Sequence, residues 1–288
     1  MTEPVQHYYE SQRLRLAYWA WGDPTRPPLV LLHGDQDHAR TWDRVARAFE
    51  GDYYVVAPDL RGHGDSEWAR GGYYSTVEHV TDLVDLIDLL GGLAQVVGHS
   101  FGGEVALIAA GAFPEKFARL VDMDGAGARA RERLPLTSAL LRETVAQSRG
   151  PERNGTRVYP SVHDAAARLR EANPFLTRPL ADHLARWGTR ATEGGWVWKF
   201  DPWARIRMPV EILPDDVERL WAGIDCPVLH LVGARSRTRR TTFKGQPIDQ
   251  FFKDSRTRVI PDAGHSVHHD QPGATVDAIR QFLRAASS

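Results

Sequence analysis

Short apolar runs separated by helical patterns restrict the fold of this chain more than any other feature. Four of these runs have the length of a buried strand: residues 29–32, 53–57, 94–97 and 120–123. Between the second and the third, residues 76–90 carry apolar side chains at helical spacing and end at two glycines. This alternation predicts an α/β fold, with a mostly parallel central sheet that helices cover on both faces.

The alternation stops after the fourth run and resumes only with strand patterns at 227–232 and 256–260 and a closing helix pattern. A parallel crossover needs only about 30 residues including its strands, so the segment between is too long for a bare connection. We therefore predict a core built from residues 1–125 and 223–288, with a mainly helical subdomain inserted at 126–222. At the start of the chain, residues 7–10 and 14–21 predict an antiparallel pair at the edge of the sheet.

Composition excludes several classes of protein. The 288 residues carry 36 Lys and Arg against 37 Asp and Glu, which gives a formal net charge of −1 and argues against a nucleic-acid partner. A single cysteine, Cys226, cannot form an intrachain disulfide. The first residues lack the pattern of a signal peptide, and no apolar run reaches the roughly 18 residues of a membrane span. We expect a cytoplasmic protein, monomeric or homodimeric, that acts on a small molecule and needs neither a cofactor nor a membrane.

The strongest local signal is the segment Gly98-His99-Ser100-Phe101-Gly102-Gly103, which joins a predicted strand to a predicted helix. Small residues around a serine allow a sharp turn that holds the hydroxyl above the sheet edge, which is typical of a nucleophile elbow. The N-terminus of the following helix would favour negative charge that develops at the site. Ser100 is therefore the predicted nucleophile.

A serine hydroxyl needs a base, and His265 is the best-placed histidine for that role. It follows the last predicted strand, and the loops at the carboxyl ends of parallel strands meet on one edge of the sheet, as does Ser100. A metal site formed by His265, His268 and His269 is the alternative, but no cluster of acidic ligands at matching spacing accompanies these histidines. We predict no metal ligand among them.

Several motifs occur in the order found in one family: His33-Gly34, the segment 59–66 (Asp-Leu-Arg-Gly-His-Gly-Asp-Ser), the Ser100 elbow and Gly264-His265. In these motifs the chain resembles the α/β-hydrolase superfamily over nearly its whole length. The resemblance implies a serine-nucleophile hydrolase in which the insertion forms a cap over the active site. Ser100 in place of an aspartate argues against epoxide hydrolases and dehalogenases, which in this family use a carboxylate nucleophile.

The acid that orients the histidine is not where many relatives carry it. In them it follows the strand that corresponds to 228–232, where this chain has no carboxylate and has Ser236 nearest to the usual position. Other relatives place the acid about two dozen residues after the nucleophile, at the end of the sixth strand. Asp124 lies 24 residues after Ser100, and we predict it as the acid, with Asp122 as the second choice.

By the same resemblance, the backbone N–H groups of Phe101 and Asp35 form the oxyanion hole. Many relatives have glycine or an apolar residue where this chain has Asp35. In the insertion, four tryptophans predict an apolar substrate pocket, although packing within the insertion is the alternative use. They are Trp187, Trp196, Trp198 and Trp203.

The sequence thus predicts a hydrolase that cleaves an ester-type bond of a small, largely apolar molecule through Ser100, His265 and Asp124. Hydrolysis of a lactone or of a C–C bond on the same triad is an alternative, and so is a cofactor-free perhydrolase. A small-molecule receptor of the same fold that keeps the triad without turnover is the rival from another class.

Overall fold

A computed structural model describes residues 3–71, 74–126, 137–150, 156–205, 212–238 and 241–285. Its centre is an eight-stranded sheet. The strands of this sheet are β1 (Val5–Ser11), β2 (Leu14–Trp21), β3 (Pro28–Leu32), β4 (Tyr54–Pro58), β5 (Ala94–His99), β6 (Phe117–Met123), β9 (Val228–Gly233) and β12 (Ser255–Ile260). They lie side by side in the order β1-β2-β4-β3-β5-β6-β9-β12. β1 and β2 pair antiparallel and join β4 antiparallel, whereas the six strands from β4 to β12 are parallel. The predicted parallel sheet and its antiparallel edge are confirmed.

Helices cover both faces of the sheet. On one face lie the helices Thr76–Leu89, Phe101–Ala112 and Pro214–Ala222, which share an apolar cluster with β3, β5 and β6. On the other face lie Asp43–Phe49 and Pro272–Arg284, preceded by the short helix Val267–Asp270. Because strands buried on both faces need apolar side chains throughout, the strands in the middle of the sheet read as continuous apolar runs.

Local sequence explains where the helix Thr76–Leu89 begins and ends. The Ser75 hydroxyl accepts the N–H of Glu78 and the Glu78 carboxylate accepts the N–H of Ser75, which is a complete capping box. At the other end, Gly91 and Gly92 adopt positive φ angles of 104° and 86°, which a glycine adopts without strain.

The insertion has its own small core. Helices Ser138–Ser148, Val162–Ala172 and Arg178–Gly188 are followed by a hairpin of β7 (Thr189–Thr192) and β8 (Gly195–Trp198). Tyr159, Ala165 and Ala185 pack together in an apolar cluster that is separate from the two clusters of the sheet. A second hairpin, β10 (Thr242–Phe243) and β11 (Gln246–Pro247), lies between β9 and β12. Short 3-10 helices occur at Ala39–Trp42, Pro114–Lys116, Pro202–Arg205 and Ile248–Phe251.

One helix in the segment that we predicted as the insertion packs with the core instead. Val217 and Trp221 of the helix Pro214–Ala222 are buried in the cluster that contains Phe101–Ala112. We therefore propose that the second core segment begins before Pro214 rather than at residue 223. In the part of the chain that the structure describes, no helix has the length and apolar character needed to cross a membrane.

Candidate active site

Ser100 lies on the sharp turn between β5 and the helix Phe101–Ala112. Its φ and ψ angles are 51° and −118°, a conformation that costs free energy for any residue with a side chain and is common at functional sites. Close backbone contacts hold the turn, because a Cβ on Gly98 would stand 2.5 Å from the carbonyl oxygen of Gly102. The Ser100 N–H also donates to the Met123 carbonyl at 2.9 Å. The sequence around the serine is thus matched to a nucleophile elbow.

The predicted oxyanion donors flank this turn. A Cβ built on Gly34 would stand 3.1 Å from the Cβ of Ser100, so the backbone after β3 runs close to the serine and leaves little room for a side chain there. Asp35 follows Gly34 directly and is exposed to solvent. Phe101 is the first residue of its helix, at the positive end of the helix dipole. The assignment of these two N–H groups to an oxyanion hole stays a prediction.

His265 and Asp124 meet at the same edge of the sheet. His265 Nδ1 lies 2.7 Å from Asp124 Oδ2, and since a carboxylate only accepts, the ring nitrogen donates. Asp124 directly follows β6, where a φ of 55° turns the chain, and it is 1% exposed. The ring of His265 is oriented by a buried carboxylate, as the chemistry of a general base requires.

Asp122, the second candidate for the acid, has other partners. Its carboxylate accepts from His230 Nδ1 at 3.0 Å and from the N–H groups of Gly125 and Ala126. The bond to His230 joins β6 to β9, and the two bonds to N–H groups hold the turn that follows β6. Of the two aspartates, Asp124 is the one whose carboxylate contacts His265.

The loop after β9 contributes two residues that sequence reasoning did not find. The hydroxyls of Ser236 and Thr238 both donate to Asp124 Oδ2, Thr238 at 2.7 Å. Ser236 is 8% exposed. The loop after β9 therefore supplies two hydroxyl donors to the carboxylate that contacts His265. Only the absence of a carboxylate in this loop hinted at such a role.

Two buried histidines lie beside His265. The ring centroids of His99 and His265 are 4.8 Å apart, and His99 Nε2 is 3.1 Å from the His265 carbonyl oxygen, to which it donates. His268 stacks on Trp42 with a centroid distance of 4.6 Å. Burial holds the pKa of both His99 and His268 well below the usual histidine value, so both rings are neutral. Burial also raises the pKa of the Asp37 carboxyl to about 7.

The segment 59–66 fixes the loops that surround the site. Asp59 Oδ1 accepts the N–H of Ala39 and Oδ2 accepts the N–H of Asp65, which ties the loop after β3 to the loop after β4. Burial raises the pKa of Asp59 to about 7. Gly64 has a φ of 52°, and any Cβ there would collide with the Asp59 carboxyl. We therefore infer that this motif holds the two loops in place beside the site.

The four tryptophans that the sequence analysis assigned to substrate binding make packing contacts. Trp196 and Trp198 pack on the small core of the insertion, and the Trp203 indole donates to the Ser148 carbonyl. Trp187 meets Trp19 edge to face and carries the Arg40 guanidinium 3.8 Å above its ring. A role for them in substrate binding stays a prediction.

Phe175 and Asn173 bring the insertion to the His265 loop. A Cβ on Gly264 would stand 3.2 Å from Phe175 Cε2, so the phenyl ring lies against the residue that precedes His265. Asn173 Nδ2 donates to Asp270 at 3.5 Å, and Asp270 accepts the N–H of Gly264. These contacts position an apolar ring beside the base.

Comparisons with known proteins agree on the family. A sequence profile described as the alpha/beta hydrolase family matches residues 29–278. The esterase Rv0045c of Mycobacterium tuberculosis is 29% identical over 289 residues, which cover 97% of this chain and 90% of that protein. The 3-hydroxybutyrate-oligomer hydrolase of Cupriavidus necator is 30% identical over 292 residues and 94% of each chain. Among solved structures, the thioesterase domain from the curacin biosynthetic pathway superposes with a TM-score of 0.86 at 25% identity, over 97% of this chain and 100% of that one.

Proposed function

Because the chain belongs to the alpha/beta hydrolase family, we propose that it is a serine hydrolase that cleaves carboxylic esters of small, largely apolar molecules. The observation that carries the proposal is the 2.7 Å contact between His265 Nδ1 and Asp124 Oδ2, at the sheet edge where Ser100 occupies its strained turn. Of the two relatives described above, one is named an esterase and the other a 3-hydroxybutyrate-oligomer hydrolase.

In the proposed first step, His265 Nε2 takes the proton of the Ser100 hydroxyl while Nδ1 keeps its bond to Asp124. The serine oxygen bonds to the ester carbonyl carbon, and the carbonyl oxygen becomes an anion. The N–H groups of Phe101 and Asp35 would stabilise that anion, which is the largest single contribution in many enzymes of this chemistry. Asp124 stabilises the imidazolium and stays ionised throughout.

In the second step, the His265 imidazolium gives its proton to the alcohol oxygen as the bond between carbon and oxygen breaks. The alcohol leaves and the acyl group stays on Ser100. A water molecule then repeats the sequence, with His265 taking its proton and returning one to the serine oxygen, so that the carboxylic acid is released.

The substrate class follows from what surrounds the base. Phe175 from the insertion lies against Gly264, and we propose that this ring forms one wall of the pocket for the acyl or alcohol group. The insertion acts in this proposal as the cap that determines which group fits. An apolar wall suits a substrate without charge near the reacting bond.

Initial rates on p-nitrophenyl esters of increasing acyl length test the proposal. We expect the rate to peak at one length and to vanish in Ser100→Ala, with Ser148→Ala as a serine control that keeps the wild-type rate. A rate that is equal in Ser100→Ala and in the wild type would overturn the serine mechanism. No rate at any length would favour lactone or C–C substrates, or a receptor that binds its ligand with or without the Ser100 hydroxyl.

A further inference from the structure

A second polar cluster lies beside the proposed active site, where three segments of the chain meet. Asp37 belongs to the loop after β3, His99 ends β5, and His268 lies on the short helix after His265. One carboxylate oxygen and one nitrogen from each ring lie within 4.8 Å of one another. We propose that Asp37, His99 and His268 bind a divalent transition-metal ion of the zinc class.

The nitrogens of this cluster need a partner. Neither nitrogen of His268 has a hydrogen-bond partner among the described residues, and the same holds for Nδ1 of His99. His99 is 5% exposed and His268 is 2% exposed. A buried polar atom without a partner destabilises the folded protein, so three of them in one place indicate a ligand.

The orientation of His99 supports the proposal. Its Nε2 donates to the His265 carbonyl at 3.1 Å, so the proton of the neutral ring is on Nε2 and the lone pair is on Nδ1. A histidine that binds a metal nearly always donates its other N–H to a carbonyl or carboxylate in this way. Gly34 leaves space at that lone pair, because a Cβ there would stand 3.1 Å from Nδ1.

The donor set determines the class of metal. Two neutral imidazoles and one carboxylate are typical ligands for zinc and for other late first-row ions, and unsuited to calcium. Bonds of about 2.0–2.2 Å place tetrahedral ligand atoms roughly 3.4 Å apart, so the cluster needs only a modest contraction. The Asp37 side chain already accepts the N–H of His38 at 2.9 Å, which orients its carboxylate.

The neighbouring histidines, His265 and His269, have hydrogen-bond partners outside this cluster. His265 donates to Asp124, and His269 Nε2 is 2.7 Å from the Thr41 hydroxyl. The set that the sequence analysis considered and rejected, His265 with His268 and His269, is divided by the fold. His268 instead joins two residues that are distant in sequence.

Metal binding has a consequence that rests on the proposed function. His99 touches His265, with ring centroids 4.8 Å apart, so a bound ion would bring two positive charges close to the ring that carries a proton during ester cleavage. Like charges at this distance repel, and we expect the ion to inhibit hydrolysis.

Calorimetric titration of the chelator-treated protein with zinc chloride tests the site, together with the visible absorption of bound Co²⁺. We expect one ion per chain and a cobalt band in the visible range. His268→Phe keeps a ring to stack on Trp42 and removes both nitrogens, and its zinc affinity should fall by about a hundredfold or more, since outer-shell changes alone cost 10- to 100-fold. The control is His163→Ala, at an exposed histidine of the insertion, which should bind zinc as the wild type does.

A thermal unfolding scan of each variant checks that it is folded, and Asp37→Asn replaces His268→Phe should that variant fail to fold. Zinc sensitivity is measured against each variant's own metal-free ester rate. Equal zinc binding in the wild type and in the folded ligand variant, or no binding at millimolar zinc, would overturn the site. Binding by a protein without esterase activity would refute the proposed function alone, whereas esterase activity without binding would refute the metal site alone.

Discussion

The carboxylate of Asp124 accepts hydrogen bonds from two loops, one after β9 and one after β12. His265, Ser236 and Thr238 all bond to its Oδ2 atom, and the residue is almost fully buried. A buried carboxylate needs such partners because it has lost those it had in water. The two hydroxyls therefore fix the carboxylate that in turn fixes the ring of His265.

Replacement of the acid tests its role directly. We expect Asp124→Asn to lower kcat on the best p-nitrophenyl ester by about ten-thousand-fold with the fold intact, because an amide does not hold the imidazole in the required tautomer. Steady-state kinetics and circular dichroism measure the two effects. Asp122→Asn is the matched control, since it weakens the bonds to His230 and to the chain after β6 and so should lower stability more than kcat. Near-normal turnover in Asp124→Asn would assign the acid to another residue.

The hydroxyl of Thr238 can be removed with little change of shape. A hydrogen bond to a charged group contributes about 1.5–3 kcal/mol, so Thr238→Val should lower kcat by about tenfold or more while KM changes little. Thr238→Ser keeps the hydroxyl and should retain most of the activity. Equal kcat in the valine and serine variants would show that the hydroxyl does not position Asp124.

At the scale of elements, the apolar runs predicted the strands because a strand buried on both faces has little freedom in composition. The helix at 76–90 was predictable from the spacing of its apolar residues, and Gly91 and Gly92 indicated where it ends. The helix Asp43–Phe49 was missed, since two turns give too few repeats for a period to be seen. The hairpins β7–β8 and β10–β11 were missed as well, because strands of two to four residues carry hardly any pattern.

The contact between two core helices gives a prediction at this scale. A Cβ on Gly111 in the helix Phe101–Ala112 would stand 2.1 Å from the carbonyl oxygen of Leu220, in the backbone of the helix Pro214–Ala222. Gly111→Ala must therefore separate the two helices, and overpacking of this kind costs about 1–3 kcal/mol. Urea unfolding measures the loss. Gly51→Ala is the control, because its Cβ would meet nothing within 4 Å, and a loss as large there as at Gly111 would contradict the packing argument.

Over the whole molecule, topology made Ser100, His265 and Asp124 predictable as a group, since parallel strands bring the residues that follow them to one edge. The hydrogen bonds of Ser236 and Thr238 to Asp124 depend on the exact course of a loop, and a sequence pattern does not encode that course. The same holds for the cluster of Asp37, His99 and His268, whose members come from a loop, the end of a strand and a short helix. The burial of polar groups at this edge could not be predicted from the sequence either. This burial affects the stability of the entire fold.

His33 shows how such burial makes stability depend on pH. Its ring is fully buried, with Nδ1 donating to the Gly34 carbonyl at 2.7 Å and Nε2 accepting the N–H of Leu60 at 3.0 Å. A second proton on Nε2 would break the bond to Leu60. Burial, together with the neighbouring ring of His63, holds the pKa of His33 well below the usual histidine value in the folded protein.

The sign of the effect follows from the two states. Below about pH 6.5 the unfolded chain binds a proton at His33 that the folded protein does not, so the free energy of unfolding falls as the pH falls. This one group contributes a slope of up to about 1.4 kcal/mol per pH unit. His33→Gln removes the titration, and urea unfolding between pH 7 and pH 5 should show a shallower loss than in the wild type. His163→Gln, at an exposed histidine, should leave the slope unchanged, and identical slopes in all three proteins would show that the folded state does not exclude the proton from His33.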